Sequence, residues 1–446
     1  MPSSGNKGCK GYKMGTKLVI LSLDAMIAED LPILAKHPVF SELFQEGALV
    51  REVRSIYPTL TYPCHTTMVT GNLPDRHGVT ANSPLCPGVD PLPWFFYHDV
   101  VRSRDIFDAA KEAGMTTAAV GWPVTGNHPS IDYLVDEIWP VDRKMTPKNL
   151  KAVLLGSGTS EEIFEEIVKP LVPLRLPRTQ PNTAIFSTGI LSGMIRKYRP
   201  DVLAIHLAQF DHYRHKLGVH GPLIERGAAE LAENLAEIED ALRANGDLET
   251  CNIVITSDHG QIDCQRIARP NVLLREHGFI SVDEKGRVTD WRAYAVAVGM
   301  SVQIWLRDPA DKALYDEVYD FLKGIVSKGT YGYSEVLTTE ETEARDHLSG
   351  GFSFILETDG ITHFSDGWTG EYMKPDRQFL EGFFYGSHGY HPDKGPKMAF
   401  IGKGPAFRKG AVLDAARLED QAPTYARILD VSLPDTDGRV MEELLR

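Results

Sequence analysis

The sequence has few of the features that mark secreted and membrane proteins. Only five of its 446 residues are cysteine, and their odd number and lack of CxxC spacing argue against a disulfide framework. No run of about 18 apolar residues occurs, and no signal-peptide core precedes the apolar run that begins at Leu18. We therefore expect a cytoplasmic protein that does not enter a membrane, with a disordered tail at residues 1–16.

Positive charge is also scarce. Lys and Arg together number 47 against 61 Asp and Glu, which gives a formal net charge of −14. This balance argues against duplex nucleic acid as a ligand, because its phosphates are held by Lys and Arg. An anionic substrate would need locally concentrated positive charge, which bound metal ions supply. With 42% apolar residues, the chain can bury one large α/β core or two smaller ones.

Three short apolar runs each lead into an aspartate, and two of these aspartates bring a histidine with them. The residues are Asp24, Asp211 with His215, and Asp258 with His259. A single aspartate after a strand often only caps the next helix. In an open α/β sheet, however, the strand ends gather over one crevice, where three such residues can meet a fourth segment that carries His388. The pattern therefore predicts a metal site.

Two zinc ions suit these side chains, and Mn²⁺ or another divalent cation is the alternative. Zinc takes nitrogen and oxygen ligands, and catalytic sites keep one position open. The two predicted ligand sets are Asp24, Asp258 and His259, and Asp211, His215 and His388. Two metals about 4 Å apart can clamp a phosphoryl group, so the predicted chemistry is hydrolysis at phosphorus.

The charge of this predicted site favours one class of substrate. Two zinc ions carry +4, three ligand aspartates carry −3, and the histidines bind as neutral groups, which leaves +1. That charge suits a singly charged phosphodiester better than a doubly charged monoester. A Lys or Arg from elsewhere in the fold would alter the count.

Thr61 is the predicted nucleophile. A helix is predicted over Cys64–Thr70 with Pro63 in its first turn, so Thr61 precedes a helix amino terminus whose NH groups can bind phosphate. Metal coordination would activate its hydroxyl. Thr59 is the competing hydroxyl. Asn82 is predicted to donate its amide to a non-bridging oxygen as charge develops there.

Aromatic residues near these motifs are candidates for stacking on a nucleobase or another leaving group. They are Trp94, Phe95, Phe96, Tyr97 and Trp122. Aromatic side chains at such density often fill a core instead. Of this group, we predict Trp122 to contact the substrate together with Asn82.

Several segments share the motifs of one enzyme family. They are Tyr57–His65, Val69–Val79 with Asn82, Ser257–Gly260, Gly386–Tyr390 and Phe400–Phe407. Together they resemble the nucleotide pyrophosphatase/phosphodiesterases, a branch of the alkaline phosphatase superfamily, over residues 17–446. The resemblance implies an alkaline phosphatase-like three-layer α/β/α sandwich with a small inserted α+β subdomain. It also implies that Thr61 is the nucleophile, that Asn82 lines the oxyanion site, and that Thr61 and the six predicted ligands bind two zinc ions.

One motif departs from the family pattern. The family usually shows Asp-x-x-Gly-His-x-x-Gly-Pro, whereas Arg214 occupies the glycine position here and three residues are added before Gly221 and Pro222. Asp211 and His215 keep their four-residue spacing. This form also resembles phosphonoacetate hydrolases, which cleave a carbon–phosphorus bond, and they are the alternative assignment.

The predicted catalytic core comprises residues 17–261 and 385–446, and the predicted α+β cap-like subdomain comprises residues 262–384. We expect hydrolysis of phosphodiester or pyrophosphate bonds through a phosphoenzyme intermediate at Thr61. The expected substrates are small phosphate esters or phosphonates. A phosphomonoesterase of the same superfamily and a catalytically inactive ligand-binding protein are further alternatives. The sequence does not indicate an oligomeric state.

Overall fold

The apolar runs of the sequence form strands. A computed structural model describes residues 17–139, 145–175, 179–374 and 385–446, so the predicted tail at 1–16 and the end of the predicted insertion lie outside the described residues. The strands, numbered along the chain, are β1 (Lys17–Leu23), β2 (Ala48–Arg54), β3 (Thr117–Val120), β4 (Tyr133–Val135), β5 (Val202–Leu207), β6 (Cys251–Thr256), β7 (Ile262–Asp263), β8 (Arg266–Ala268), β9 (Ile280–Val282), β10 (Val288–Trp291), β11 (Ala293–Ala297), β12 (Ser301–Leu306), β13 (Tyr333–Thr338), β14 (Phe354–Thr358), β15 (Thr362–Phe364), β16 (Met373–Lys374), β17 (Gly386–Ser387), β18 (Met398–Lys403) and β19 (Val412–Arg417).

Most helices lie between strands of the central sheet, as expected for an α/β fold. The helices are α1 (Leu31–Leu34), α2 (Pro38–Glu46), α3 (Thr61–Thr70), α4 (Pro74–His77), α5 (Ile106–Glu112), α6 (Pro147–Gly156), α7 (Glu161–Ile163), α8 (Val172–Arg175), α9 (Asn182–Tyr198), α10 (Gln209–Leu217), α11 (Ile224–Ala244), α12 (Pro270–Glu276), α13 (Lys312–Ser327), α14 (Thr339–Asp346) and α15 (Gln421–Leu429).

Eight strands form the central sheet in the order β19-β2-β18-β6-β1-β5-β3-β4. Of these eight, only β18 runs against the others. β1 lies between β5 and β6 and is parallel to both, with Leu23 beside Leu207 and Ser22 beside Thr256. The three runs that lead into aspartates are therefore neighbours, and their carboxyl ends share one edge of the sheet.

Helices cover both faces of this sheet. On β1, Val19, Leu21 and Leu23 point into an apolar core shared with α9 and α11. Leu18 and Ile20 point into a second core shared with α3, α5 and α15. The sequence of β1 is a continuous apolar run because both faces of the strand are buried. The layers are therefore helix, sheet and helix, as predicted.

Strands β7 to β16 lie outside the central sheet. β11-β12-β14-β13 form an antiparallel sheet with its own apolar core, to which α13 contributes Leu314, Val318 and Leu322. This part packs on the core through Tyr57, whose hydroxyl donates to Glu357 Oε2 at 2.6 Å. The arrangement matches an inserted α+β unit, and the boundaries at 262 and 384 stay a prediction.

The described residues also bear on the membrane and disulfide predictions. No helix among them combines the length and the apolar character needed to cross a bilayer. Cys64, Cys86, Cys251 and Cys264 are free thiols, so these four form no disulfide framework.

Candidate active site

A cavity of 830 Å³ opens at the carboxyl ends of β1 and β5. Six of the predicted site residues line it: Asp24, Thr61, Asn82, Asp211, His215 and His388. Asp258 and His259 are fully buried next to it, and His259 Nε2 lies 3.2 Å from Thr61 Oγ1. The fold thus brings all seven predicted metal-site residues and Asn82 together.

The first predicted ligand set clusters around one imidazole nitrogen. His259 Nε2 lies 3.2 Å from Asp258 Oδ2 and 3.6 Å from Asp24 Oδ1. Asp24 directly follows β1, and Asp258 and His259 follow the adjacent β6. The side-by-side strand ends therefore deliver these three residues, and Thr61 Oγ1 lies at the same nitrogen.

The second set clusters around one carboxylate. Asp211 Oδ1 lies 3.1 Å from His215 Nε2 and 3.5 Å from His388 Nε2. Asp211 and His215 share one face of α10 because they are four residues apart. The rings of His259 and His388 stack with centroids 3.9 Å apart, so the two sets are adjacent.

Backbone carbonyls orient the two histidines of the second set. His215 Nδ1 donates to Gly386 O at 2.7 Å, and His388 Nδ1 donates to Thr59 O at 3.1 Å. With Nδ1 protonated in each ring, Nε2 carries the lone pair that a cation needs. Burial lowers the pKa of His388 and of His259 to about 3, which keeps both imidazoles neutral.

Two buried carboxylate oxygens of the first set lack a hydrogen-bond donor. Asp24 Oδ1 and Asp258 Oδ2 are buried and accept no hydrogen bond from the described residues. Burial, and then the neighbouring Asp258 and Asp211, raise the pKa of Asp24 well above its usual value. Buried charge of this kind requires a compensating partner. Carboxylate oxygens and neutral imidazoles are donors that zinc and manganese accept, so the residues fit two divalent cations.

Asp211 and His215 shift each other's pKa. Burial opposes ionisation of both groups, but their mutual contact holds the pKa of Asp211 well below its usual range and raises the pKa of His215. Gln261 Nε2 adds a 2.6 Å hydrogen bond to Asp211 Oδ1. The carboxylate is therefore ionised near neutral pH.

Thr61 occupies a helix terminus, although α3 begins earlier than predicted. Thr61 is its first residue and Leu60 its N-cap, whereas the sequence predicted a start at Cys64. The Tyr62 NH donates to Asn82 Oδ1 at 2.9 Å, and Pro63 has no NH. Of the first three helical residues, only Thr61 therefore keeps an NH for a phosphoryl oxygen. The same hydrogen bond orients Asn82, so that its amide nitrogen remains a donor.

Thr59 has a different role. Its Oγ1 donates to Tyr390 O at 2.8 Å and accepts from Gly389 N at 2.9 Å. Its carbonyl also accepts from His388. The hydroxyl of Thr59 is thus occupied in anchoring the His388 turn, which leaves Thr61 as the candidate nucleophile.

Further site residues were not identified from the sequence. His206 Nε2 donates to Asp24 Oδ2 at 2.9 Å. His65 Nδ1 donates to Thr61 O at 2.8 Å, while its Nε2 accepts from Ser22 Oγ at 2.9 Å. A histidine inside the buried strand β5 is a signal that could have pointed to His206, because such a group needs a polar partner. His65 has no comparable local signal.

The structure gives no support to the predicted contact of Trp122 with the substrate. Its side chain is fully buried, its ring packs edge-on against His65 at 4.9 Å, and it does not line the cavity. Trp122 follows β3 and packs in the apolar core shared with α3 and α5. Trp94, another aromatic candidate, lines the cavity and packs against Tyr62 with ring centroids 5.1 Å apart.

A second His and Asp group lies outside the cavity lining, and its members hydrogen-bond within the protein. It comprises His98, Asp105, Asp108 and His128. His128 Nδ1 accepts from Ser130 N at 3.1 Å, so Nε2 carries the proton and donates to Asp105 Oδ2 at 2.8 Å. Asp105 Oδ1 in turn caps α5. The group is a hydrogen-bonded cluster at a helix start.

Comparison with known proteins places these features in one family. The sequence profile described as type I phosphodiesterase / nucleotide pyrophosphatase matches residues 18–391. Ectonucleotide pyrophosphatase/phosphodiesterase family member 5 from Homo sapiens is 22% identical over 410 residues, covering 90% of this chain and 72% of the relative. Bis(5'-adenosyl)-triphosphatase ENPP4 from Bos taurus is 24% identical, covering 58% of this chain and 51% of the relative.

Solved structures show the same fold. Murine ectonucleotide pyrophosphatase/phosphodiesterase 5 superposes with a TM-score of 0.66 at 19% identity, covering 96% of this chain and 100% of that one. An inactive threonine-to-alanine variant of the murine protein, solved in complex with AMP, gives 0.65 at 18% identity, covering 97% and 100%. These matches confirm the predicted alkaline phosphatase-like α/β fold. Because the profile spans most of the chain, the protein belongs to the type I phosphodiesterase / nucleotide pyrophosphatase family of hydrolases.

Proposed function

We propose that this protein hydrolyses phosphodiester or pyrophosphate bonds in small molecules. Thr61 is the nucleophile, and two divalent cations are the cofactors, with zinc preferred over manganese. The observation that carries the proposal is the position of Thr61 Oγ1. It lies at a helix start, 3.2 Å from His259, where the two acidic and histidine sets adjoin.

The six predicted ligands form two clusters, and each cluster would hold one cation. Asp24, Asp258 and His259, with Thr61, would hold one cation, and Asp211, His215 and His388 would hold the other. When bound, the cations polarise phosphoryl oxygens and neutralise the charge that develops during displacement.

The residues of the chain then have distinct tasks. Thr61 Oγ1 forms a bond to phosphorus while the bond from phosphorus to the leaving oxygen breaks, which leaves one half of the substrate esterified to Thr61 and releases the other half, which takes up the proton lost by the hydroxyl. The Asn82 amide donates to a non-bridging oxygen. Water next cleaves the bond between phosphorus and Thr61 Oγ1. Two successive displacements, each with inversion, retain configuration overall.

The charges of the cavity support a singly charged diester substrate over a monoester. The acidic residues that line it are Asp24, Asp90, Asp136, Glu137, Asp211 and Asp366. Arg175 is the only Lys or Arg on the lining within the described part of the chain. The lining therefore supplies little positive charge beyond the cations, and the low net charge calculated from the ligands still applies.

Replacement of Thr61 tests the proposal. We expect Thr61→Ala to bind two zinc ions and to lose turnover of bis(p-nitrophenyl) phosphate, because three protein ligands per cation remain while the nucleophile is gone. Thr61→Ser keeps a hydroxyl and is the matched control, with measurable turnover expected. Turnover by Thr61→Ala close to that of the wild type would contradict the role of Thr61.

Stereochemistry tests the covalent route separately. A chiral phosphorothioate diester should be hydrolysed with net retention at phosphorus. Net inversion would indicate direct attack by water. Efficient turnover of phosphonoacetate with little activity on either ester would instead favour the phosphonate hydrolase alternative, and zinc-loaded protein inactive on all these substrates would favour a binding protein.

A further inference from the structure

Arg214, the residue that occupies the usual glycine position of its motif, is buried at the centre of the metal-site scaffold. It lies on α10 between Asp211 and His215, and its side chain has no exposed surface. The guanidinium also packs on the ring of Phe210, 5.2 Å from the centroid. A fully buried arginine needs partners for its charge and its donors.

Three residues supply those partners. Arg214 Nη2 donates to Asp30 Oδ1 at 2.7 Å, Nη1 donates to Ala25 O, and Nε donates to Val219 O at 3.1 Å. Asp30 is itself buried, and its other oxygen accepts from Ile27 N at 2.8 Å. The guanidinium therefore ties α10 to the turn after β1 and to the loop after α10.

The turn after β1 is the one that carries Asp24. Ala25 follows Asp24 with a left-handed φ of 59°, and its NH donates to Asp258 Oδ1 at 3.2 Å. Its carbonyl is held by Arg214. The NH of Ala25 is thus bound by Asp258 of the first ligand set. The carbonyl of Ala25 is bound by Arg214, which lies on the helix that carries Asp211 of the second set.

The residues added before Gly221 complete this arrangement. Val219 lies between His215 and Gly221, in the stretch that is three residues longer than the family pattern, and its carbonyl accepts from Arg214 while its NH donates to Asp263 Oδ1 at 2.9 Å. The arginine and the longer loop therefore form one structural unit. The loop provides an acceptor that the guanidinium uses.

We propose that Arg214, paired with Asp30, is a positioning residue. It fixes the turn of Asp24 relative to α10 and so sets the distance between the two predicted ligand sets. This proposal rests on the proposed function, since it assumes that both sets bind cations. Asp211, His215 and His388 have anchors of their own, at Gln261, Gly386 and Thr59. Loss of the Arg214 contacts should therefore weaken binding of the cation at the Asp24 set more than binding of the cation at the Asp211 set.

Zinc titration of a double variant tests this role. Arg214→Met alone leaves Asp30 buried without its partner, which threatens folding. Arg214→Met combined with Asp30→Asn removes both charges and keeps an acceptor for the Ile27 NH. We expect this double variant to fold, to retain one tightly bound zinc ion, and to bind the second about 10- to 100-fold more weakly. Arg226→Met, which removes an exposed arginine from the neighbouring α11, is the control and should titrate like the wild type.

The outcomes separate the two proposals. Two zinc ions bound to the folded double variant with wild-type affinity would overturn the role of Arg214 and leave the proposed function intact. Wild-type protein that binds no zinc or manganese would contradict the proposed function itself. Equal weakening of both cations would overturn the specific link between Arg214 and Asp24.

Discussion

At the scale of single residues, histidines in the site divide by the nitrogen that the protein engages. His215 and His388 use Nδ1 on backbone carbonyls and present Nε2 to the cation sets. His206 instead directs its Nε2 to Asp24, and His65 uses both nitrogens within the protein. A histidine in the site is therefore not necessarily a metal ligand, because its ring can instead form a hydrogen bond that orients a ligand.

Asn82 allows its donor to be tested apart from its structural contact. Asn82→Asp keeps an oxygen that can accept from the Tyr62 NH, but it replaces the amide donor with a charged group that repels a phosphate. We expect kcat to fall by about 10²- to 10³-fold, as for other losses of an oxyanion donor. Steady-state kinetics and zinc stoichiometry should be measured together, with zinc content unchanged. A variant with wild-type kcat would exclude Asn82 from the oxyanion site.

At the scale of elements, the buried strands were the most predictable part of the fold. The apolar run that leads into Asp211 forms β5 (Val202–Leu207), because a strand buried on both faces has a continuous apolar sequence. The edge strand β19 (Val412–Arg417) was not predicted, since most of its side chains face solvent and its sequence lacks such a run. The early start of α3 was missed because its first turn carries no side-chain cap.

The turn that carries His388 depends on a close backbone approach at Gly389. A Cβ at Gly389 would lie 1.7 Å from Val298 O, and the residue has φ 93°. Gly389→Ala should therefore displace the turn, lower the melting temperature and weaken zinc binding. Gly360 shares φ 93° but has no atom within 4 Å of its added Cβ, so Gly360→Ala is a control for backbone strain alone.

Thermal unfolding and zinc titration of the two glycine variants would separate these effects. The Gly360 variant should lose a little stability through its left-handed backbone and keep wild-type zinc affinity. Similar zinc affinities in both variants would show that the close contact at Gly389 does not hold the metal turn in place.

At the scale of the whole molecule, the substrate cavity is shared between the core and the predicted insertion. Trp94 and Asp136 line it from the core, and Asp366 and Trp368 line it from the insertion. Burial raises the pKa of Asp366 to about 6. Loops that are distant in sequence from the ligand motifs therefore form part of the cavity wall.

The charge of this cavity predicts a substrate ranking. Zinc-loaded protein should cleave bis(p-nitrophenyl) phosphate with a higher kcat/KM than p-nitrophenyl phosphate, because the monoester brings a second negative charge into an acidic cavity. The two substrates share a leaving group, so the comparison isolates the charge at phosphorus. The reverse ranking would move the assignment to a phosphomonoesterase.

The sequence by itself determined the fold class, the family and the set of residues that converge at the cavity. It could do so because the signals are local: an apolar run fixes a strand, and an aspartate at its end must lie at the shared edge of a parallel sheet. Only the tertiary structure showed that Trp122 is buried, that His206 orients Asp24, and that Arg214 clamps the turn after β1. These features depend on contacts between segments far apart in the chain, for which no local pattern exists.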